Sequence, residues 1–174
     1  FKKHKNFSFE ESLNHNILLF LIYENIKNRN VFRYFKDIKI KKFNLIGNKP
    51  TIKIGEDEIS QDDLNSLLEY EKIEQIKQKI KNKRNIFLEV GSGAGRTSQT
   101  ILAIEKKIKY VIADIPPAIN VSKKNITQLY PEKKISNAFD INNQSDLINK
   151  IAENDVTYIF PHQIELFPEK FFDI

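Results

Sequence analysis

The residues best suited to chemistry form one stretch, Glu89-Val90-Gly91-Ser92-Gly93-Ala94-Gly95-Arg96, followed one apolar run later by the carboxylate Asp114. Three glycines at alternate positions let a backbone turn sharply and let a ligand lie directly against it. An acidic residue two places ahead of the first glycine puts negative charge beneath such a turn. Asp114 ends the run Tyr110-Val111-Ile112-Ala113. A carboxylate there can accept both hydroxyls of a ribose at once. The pattern is one for gripping a nucleoside.

The spacing discriminates among nucleosides. A dinucleotide fingerprint is Gly-x-Gly-x-x-Gly, which seats a pyrophosphate on a helix N-terminus. Here the third glycine comes one place early, and Arg96 fills the slot it would occupy. A phosphate-binding P-loop needs Gly-Lys-Ser/Thr after four intervening residues, and the chain has none. S-adenosylmethionine (AdoMet) carries no phosphate but has an ammonium and a sulfonium, which suit an acidic residue beside the loop. AdoMet is therefore the expected ligand, with NAD its main competitor. The plainer reading is a glycine turn that merely joins a strand to a helix. What weighs against it is the coincidence of buried strand, Glu-x-Gly-x-Gly-x-Gly, helix, and second strand ending in Asp.

These residues need a parallel sheet to position them. Ile86 to Val90 is a short continuous apolar run, as expected of a strand buried on both faces. A helix is expected from Arg96 to Lys106, burying Ile101, Leu102 and Ile104. Tyr110 to Ala113 gives a second strand. Pro116 and Pro117 open the next helix, because proline is tolerated in a first turn. Residues 131 to 154 are expected to be a connector with one helix around Ser145 to Ala152. Val156 to Phe160 is a third strand, and Phe171 to Ile174 begins a fourth. Strand and helix alternate as in a parallel sheet with crossover helices.

Before residue 84 the text is helical. Ser8 is a candidate cap, with Glu10 and Glu11 behind it and Leu13, Ile17, Phe20, Leu21 and Tyr23 to Ile26 at helical spacing. Gly47 to Pro50 signals a turn, and Thr51 to Ile54 alternates as a short strand ending at Gly55. Ser60 caps a further helix that carries Leu64, Leu67, Leu68, Ile73, Ile76 and Ile80. The expected division is a helical N-terminal cover, 1–83, and an α/β nucleoside-binding domain, 84–174.

The bulk numbers narrow the class. The chain has 174 residues, 40% hydrophobic and 29% charged, which is a globular balance. No apolar run nears the ~20 residues that span a bilayer, and no leader opens the sequence, so the cytoplasm is the default location. With no cysteine, disulfides and thiolate metal sites are excluded. The net charge is +5, but lysines are scattered among acids. The Lys77 to Arg84 run fits a helix end better than a nucleic-acid footprint, so no nucleic-acid partner is expected. Asp62 and Asp63 read as helix N-terminal charge, His4 and His15 as surface or satisfied helix residues. Phe1, Phe7, Phe9, Phe20, Phe32, Tyr34 and Phe35 read as core rather than an acceptor pocket. No cluster has metal-ligand spacing. The chain begins at Phe1 and lacks methionine. With its final residues opening a strand, it is expected to be part of a longer protein.

Beyond these readings, the chain resembles the bacterial sugar O-methyltransferases, a branch of the class I AdoMet-dependent methyltransferases. The likeness rests on Ile86 to Arg96, on Val111 to Ala118 with its Asp-Ile-Pro-Pro-Ala, and on Phe160-Pro161-His162-Gln163-Ile164-Glu165. Ile46-Gly47-Asn48 ahead of the alternating stretch adds to it. The glycine loop belongs to the whole superfamily, whereas the other segments point to the narrower family. The resemblance implies a Rossmann-like class I methyltransferase sheet, cut short at its C-terminus, under a helical cover. It implies that Glu89, Gly91, Gly93 and Gly95 shape the pocket under the methionine part, bordered by Ser92 and Arg96. Asp114 would hold the ribose and Ile115 pack on the adenine. His162, Gln163 and Ile164 would meet the adenine edge. The implied reaction is methyl transfer from AdoMet to a sugar hydroxyl, with a small molecule or glycan as acceptor. Substrate contacts and any base would follow the fourth strand, so no catalytic residue is assigned, and neither is an oligomeric state.

Overall fold

The computed structural model describes residues 9–39, 51–80 and 85–173. His4, Phe1, Phe7, Ser8, the 47–50 turn and the end of the basic run at 81–84 lie outside them, as do the side chains of Phe9, Glu10 and Glu11.

The first part is helical around one hairpin. Helix α1 (Phe9–Lys27) leads through a 3-10 turn (Asn30–Tyr34) into α2 (Phe35–Lys39). Strands β1 (Thr51–Ile54) and β2 (Asp57–Ser60) pair antiparallel. Only β1 was expected, because the Asp-Glu-Ile-Ser of β2 is too polar to announce a strand. Helix α3 (Gln61–Lys79) follows at once. Ser60 starts it as expected: its hydroxyl accepts from the Asp63 N–H, while Asp63 Oδ2 accepts from the Ser60 N–H at 3.1 Å. Two of the helix's orphan donors are thereby satisfied reciprocally.

One expectation is corrected in α1. Leu13, Ile17, Phe20 and Leu21 do not face the core; each is about half exposed or more. Leu19, Tyr23 and Ile26 are the buried ones. Residues 17–22 are apolar on every side of the helix, so spacing alone cannot choose the inward face.

The second part alternates strand and helix: β3 (Ile86–Val90), α4 (Arg96–Ile104), β4 (Lys109–Ala113), α5 (Pro116–Leu129), β5 (Ile135–Asn137), α6 (Gln144–Glu153), β6 (Val156–Ile159). Its four strands form a parallel sheet in the order β3-β4-β6-β5. The chain is thus an α/β structure. Three-residue β5 sits in the expected connector, too short to carry a period. Residues 171–173 are not a regular strand, yet the Asp173 N–H donates to Ile86 O at 2.9 Å. Asp173 Oδ2 in turn accepts from the Ile86 N–H at 3.1 Å. The segment, expected to begin a fourth strand, therefore lies at the outer edge of β3.

Both sheet faces are buried, which is why the strands are apolar throughout rather than alternating. On one face Phe87, Tyr110, Ile112 and Tyr158 join a core that includes α4, α5 and the N-terminal helices. On the other, Val111, Ala113 and Ile159 pack with Leu147 and Ile151 of α6 and with Phe171. The two-sided arrangement follows from the route. Going from β3 to β4 the chain steps one way, and going from β5 to β6 it steps back. A constant hand of crossover then requires α4 and α6 on opposite faces.

Candidate nucleoside site at the carboxyl ends of β3 and β4

β3 and β4 run parallel with Val90 beside Ala113, so Gly91 and Asp114 leave the sheet side by side. The Gly91 N–H still donates to Ala113 O at 2.9 Å, which ties the loop's first residue to the next strand. Gly91, Gly93 and Gly95 all take positive φ, at +76°, +56° and +80°, where a side chain is strained. Their surroundings differ. A Cβ added at Gly91 or Gly93 would meet nothing within 4 Å, whereas at Gly95 it would stand 2.7 Å from Ser122 Oγ and 3.1 Å from Ser98 Oγ. The first two face open space. The third is needed for packing against α5.

The expected partner faces the loop. Asp114 is 8% exposed, and its Oδ2 accepts from the Gly93 N–H at 2.9 Å and from the Ser92 hydroxyl at 3.2 Å. Its Oδ1 accepts from the Ile115 N–H at 2.8 Å. Side chains flanking the two strand ends are apolar and open to solvent, Val90 at 62% and Ile115 at 59%. Exposed apolar groups thus stand beside a buried carboxylate at the ends of both strands.

Glu89 lies beneath the loop, on the face shared with α4. Burial pushes its carboxyl above the usual carboxylate range, and hydrogen bonds from Tyr110 and Ser98 and the charge of Arg96 pull part of the way back. The Tyr110 hydroxyl donates to Glu89 Oε2 at 3.2 Å. Burial also raises the Tyr110 hydroxyl well above its usual value, and the nearby Glu89 adds to this. Such a carboxylate costs free energy to hold charged unless a cation joins it. The loop is braced from below as well. Ala94 O accepts from Gln99 Nε2 at 3.0 Å and from Asn125 Nδ2 at 3.1 Å.

Other expected residues are placed differently. Arg96 turns away from the loop: its guanidinium donates to Glu69 Oε1 at 2.7 Å and to Ser66 Oγ at 3.2 Å, both on α3. The Thr97 hydroxyl donates to Glu69 Oε2 at 3.0 Å. Gln163 is 1% exposed and acts as a brace, its amide nitrogen donating to Ala138 O and Ile141 O, both at 2.7 Å, while its oxygen accepts from the Phe160 N–H at 2.7 Å. No Gln163 amide hydrogen is left for a ligand. Ile164 is partly buried and packs against the core on the α6 side of the sheet. His162 is exposed and stacks on Phe160 with ring centroids 5.8 Å apart; Phe160 stacks on Phe139 at 4.4 Å. A row of three rings therefore follows β6.

Tyr110, Ser122 and Glu69, like the loop braces Gln99 and Asn125, carry no role in the sequence pattern. Tyr110 had a signal, since it and Glu89 become diagonal neighbours on one face once β3 and β4 are paired. The contacts of Ser122 and Glu69 depend on packing between distant helices, which no local spacing reports. Among the described residues no group of acids and histidines could hold a metal ion, and no helix is long and apolar enough to cross a membrane. An open groove of about 420 Å³ between α1 and β1, lined by Asn16, Phe20 and Thr51 to Ile54, shares no residue with the loop. The chain matches no protein-family profile, no curated protein and no solved structure.

Proposed function

We propose that this chain carries the AdoMet-binding half of an O-methyltransferase whose acceptor is a sugar hydroxyl. The observation that supports it best is the Asp114 carboxylate, set 2.9 Å from the Gly93 N–H at the carboxyl end of the neighbouring parallel strand. The loop and Asp114 follow β3 and β4 in a parallel sheet of order β3-β4-β6-β5. Open parallel α/β sheets bind their ligands at the carboxyl ends of the strands, which is where this loop and carboxylate stand. The sugar acceptor rests on the likeness of residues 114–118 and 160–165 to the sugar O-methyltransferases.

AdoMet, when bound, would supply an electrophilic methyl on sulfonium, so that an acceptor hydroxyl would become a methyl ether and release its proton to solvent while the sulfur keeps the bonding electron pair. The chain's own residues would bind and orient. Gly91 and Gly93 leave room for the ligand to lie against the backbone. Asp114 accepts ribose hydroxyls, and Ile115 and Val90 cover apolar surface. Glu89, already costly to keep charged, gains most from an ammonium nearby. Alignment and exclusion of water are then the main sources of rate.

Calorimetric titration tests this. S-adenosylhomocysteine should bind, and binding should vanish in Asp114→Ala and in Gly93→Val, with circular dichroism confirming that both remain folded. Binding of NAD in place of S-adenosylhomocysteine would overturn the proposal. Methyl transfer to a panel of glycans would then separate an enzyme from a binding module.

A further inference from the structure

The Asp114 carboxylate is already crowded. It offers about four acceptor positions, two on each oxygen. Three are taken: Oδ1 by the Ile115 N–H, Oδ2 by the Gly93 N–H and the Ser92 hydroxyl. A ribose presents two hydroxyls and needs one position on each oxygen. Oδ1 has a place free and Oδ2 has none, so one present donor must leave. Two of the three are backbone N–H groups fixed by the loop and by the start of α5. The Ser92 hydroxyl swings on a single torsion, and its bond, at 3.2 Å, is the longest of the three.

We propose that Ser92 is a built-in competitor for the ribose diol: its hydroxyl occupies the Asp114 oxygen that a ligand hydroxyl must take, holding the empty loop in shape and lowering affinity for the ligand. The inference rests on the AdoMet reading above and adds a setting of affinity within the same site. Ligand entry exchanges one hydroxyl for another on Oδ2, and the freed Ser92 hydroxyl turns to water or to the ligand. Charge-assisted bonds of this kind are stronger than neutral ones, so the exchange is not free of cost.

The test compares the full chain with Ser92→Ala. Without ligand, Ser92→Ala should unfold about 2–4 °C lower, because the empty loop loses a bond to a buried carboxylate. Yet it should bind S-adenosylhomocysteine roughly 3- to 10-fold more tightly. The gain should disappear with the 2′,3′-dideoxy analogue, which has no diol to compete. Equal or weaker binding by Ser92→Ala, or a gain that persists with the dideoxy analogue, would overturn the competitor role and leave the AdoMet reading standing. Failure of both proteins to bind S-adenosylhomocysteine would overturn the reading itself.

Discussion

At Gly95 a side chain has nowhere to go, since a Cβ would press on Ser122 Oγ, while at Gly93 the same atom would point into open space. Gly95→Ala carries both a positive-φ cost of about 1–2 kcal/mol and an overpacking cost of about 1–3 kcal/mol. Gly93→Ala carries the first alone. Urea unfolding should therefore rank Gly95→Ala below Gly93→Ala in stability, and calorimetry should give Gly93→Ala the larger affinity loss per unit of stability lost. Glu89 is the second case. Its carboxyl is raised in the folded chain, so the folded state holds the proton more tightly than the unfolded one. That stability is complete below the ordinary carboxylate range and is lost as pH climbs through the raised value. Glu89→Gln should accordingly gain in melting temperature relative to wild type as pH rises from below the ordinary carboxylate range to above the raised value. Its S-adenosylhomocysteine affinity should fall. A constant difference across that range would mean that Glu89 is not held at a cost.

At the scale of elements, α3 organises the N-terminal half. Ser60 and Asp63 cap it, Arg29 and Arg33 pair with Glu71 and Glu74 along it, and the Tyr70 hydroxyl and Lys77 both reach Glu105 at the end of α4. Ser60→Ala should cost about 1 kcal/mol, read from chemical unfolding. Glu69→Ala should cost about 0.5–1 kcal/mol, since its bonds to Arg96 and Thr97 are part-exposed. Much of this level was legible. The cap at Ser60, β3, β4, β6 and the proline start of α5 each announce themselves within a few residues. A buried apolar run, a short polar side chain before a helix, and proline at a first turn are all local signals. What stayed hidden was non-local or too brief. β2 is polar, β5 has three residues, and the inward face of α1 is chosen by its neighbours. At the site, Glu89, the glycines and Asp114 were visible because the loop's spacing is local. The partners of Arg96 and Gln163, on α3 and at Ala138 and Ile141, lie far away in sequence, so no local spacing reports them.

For the whole molecule, the expected boundary near residue 84 does not divide the packing. One core runs from Leu19, Ile26 and Leu67 through Ile101 and Leu102 to Phe87 and Tyr158. Heat should unfold the chain in a single transition by both circular dichroism and calorimetry. Two resolved transitions would argue for independent halves. The same continuity reaches the glycine loop from behind. Ser122 touches Gly95 on one side, and its hydroxyl lies 3.1 Å from the Tyr158 hydroxyl on the other. Residue 122 is thus a shim whose thickness sets how high the loop rides above α5. A slightly bulkier shim would tilt the cradle without ever meeting what lies in it, so ligand preference could be retuned from a position that no ligand sees.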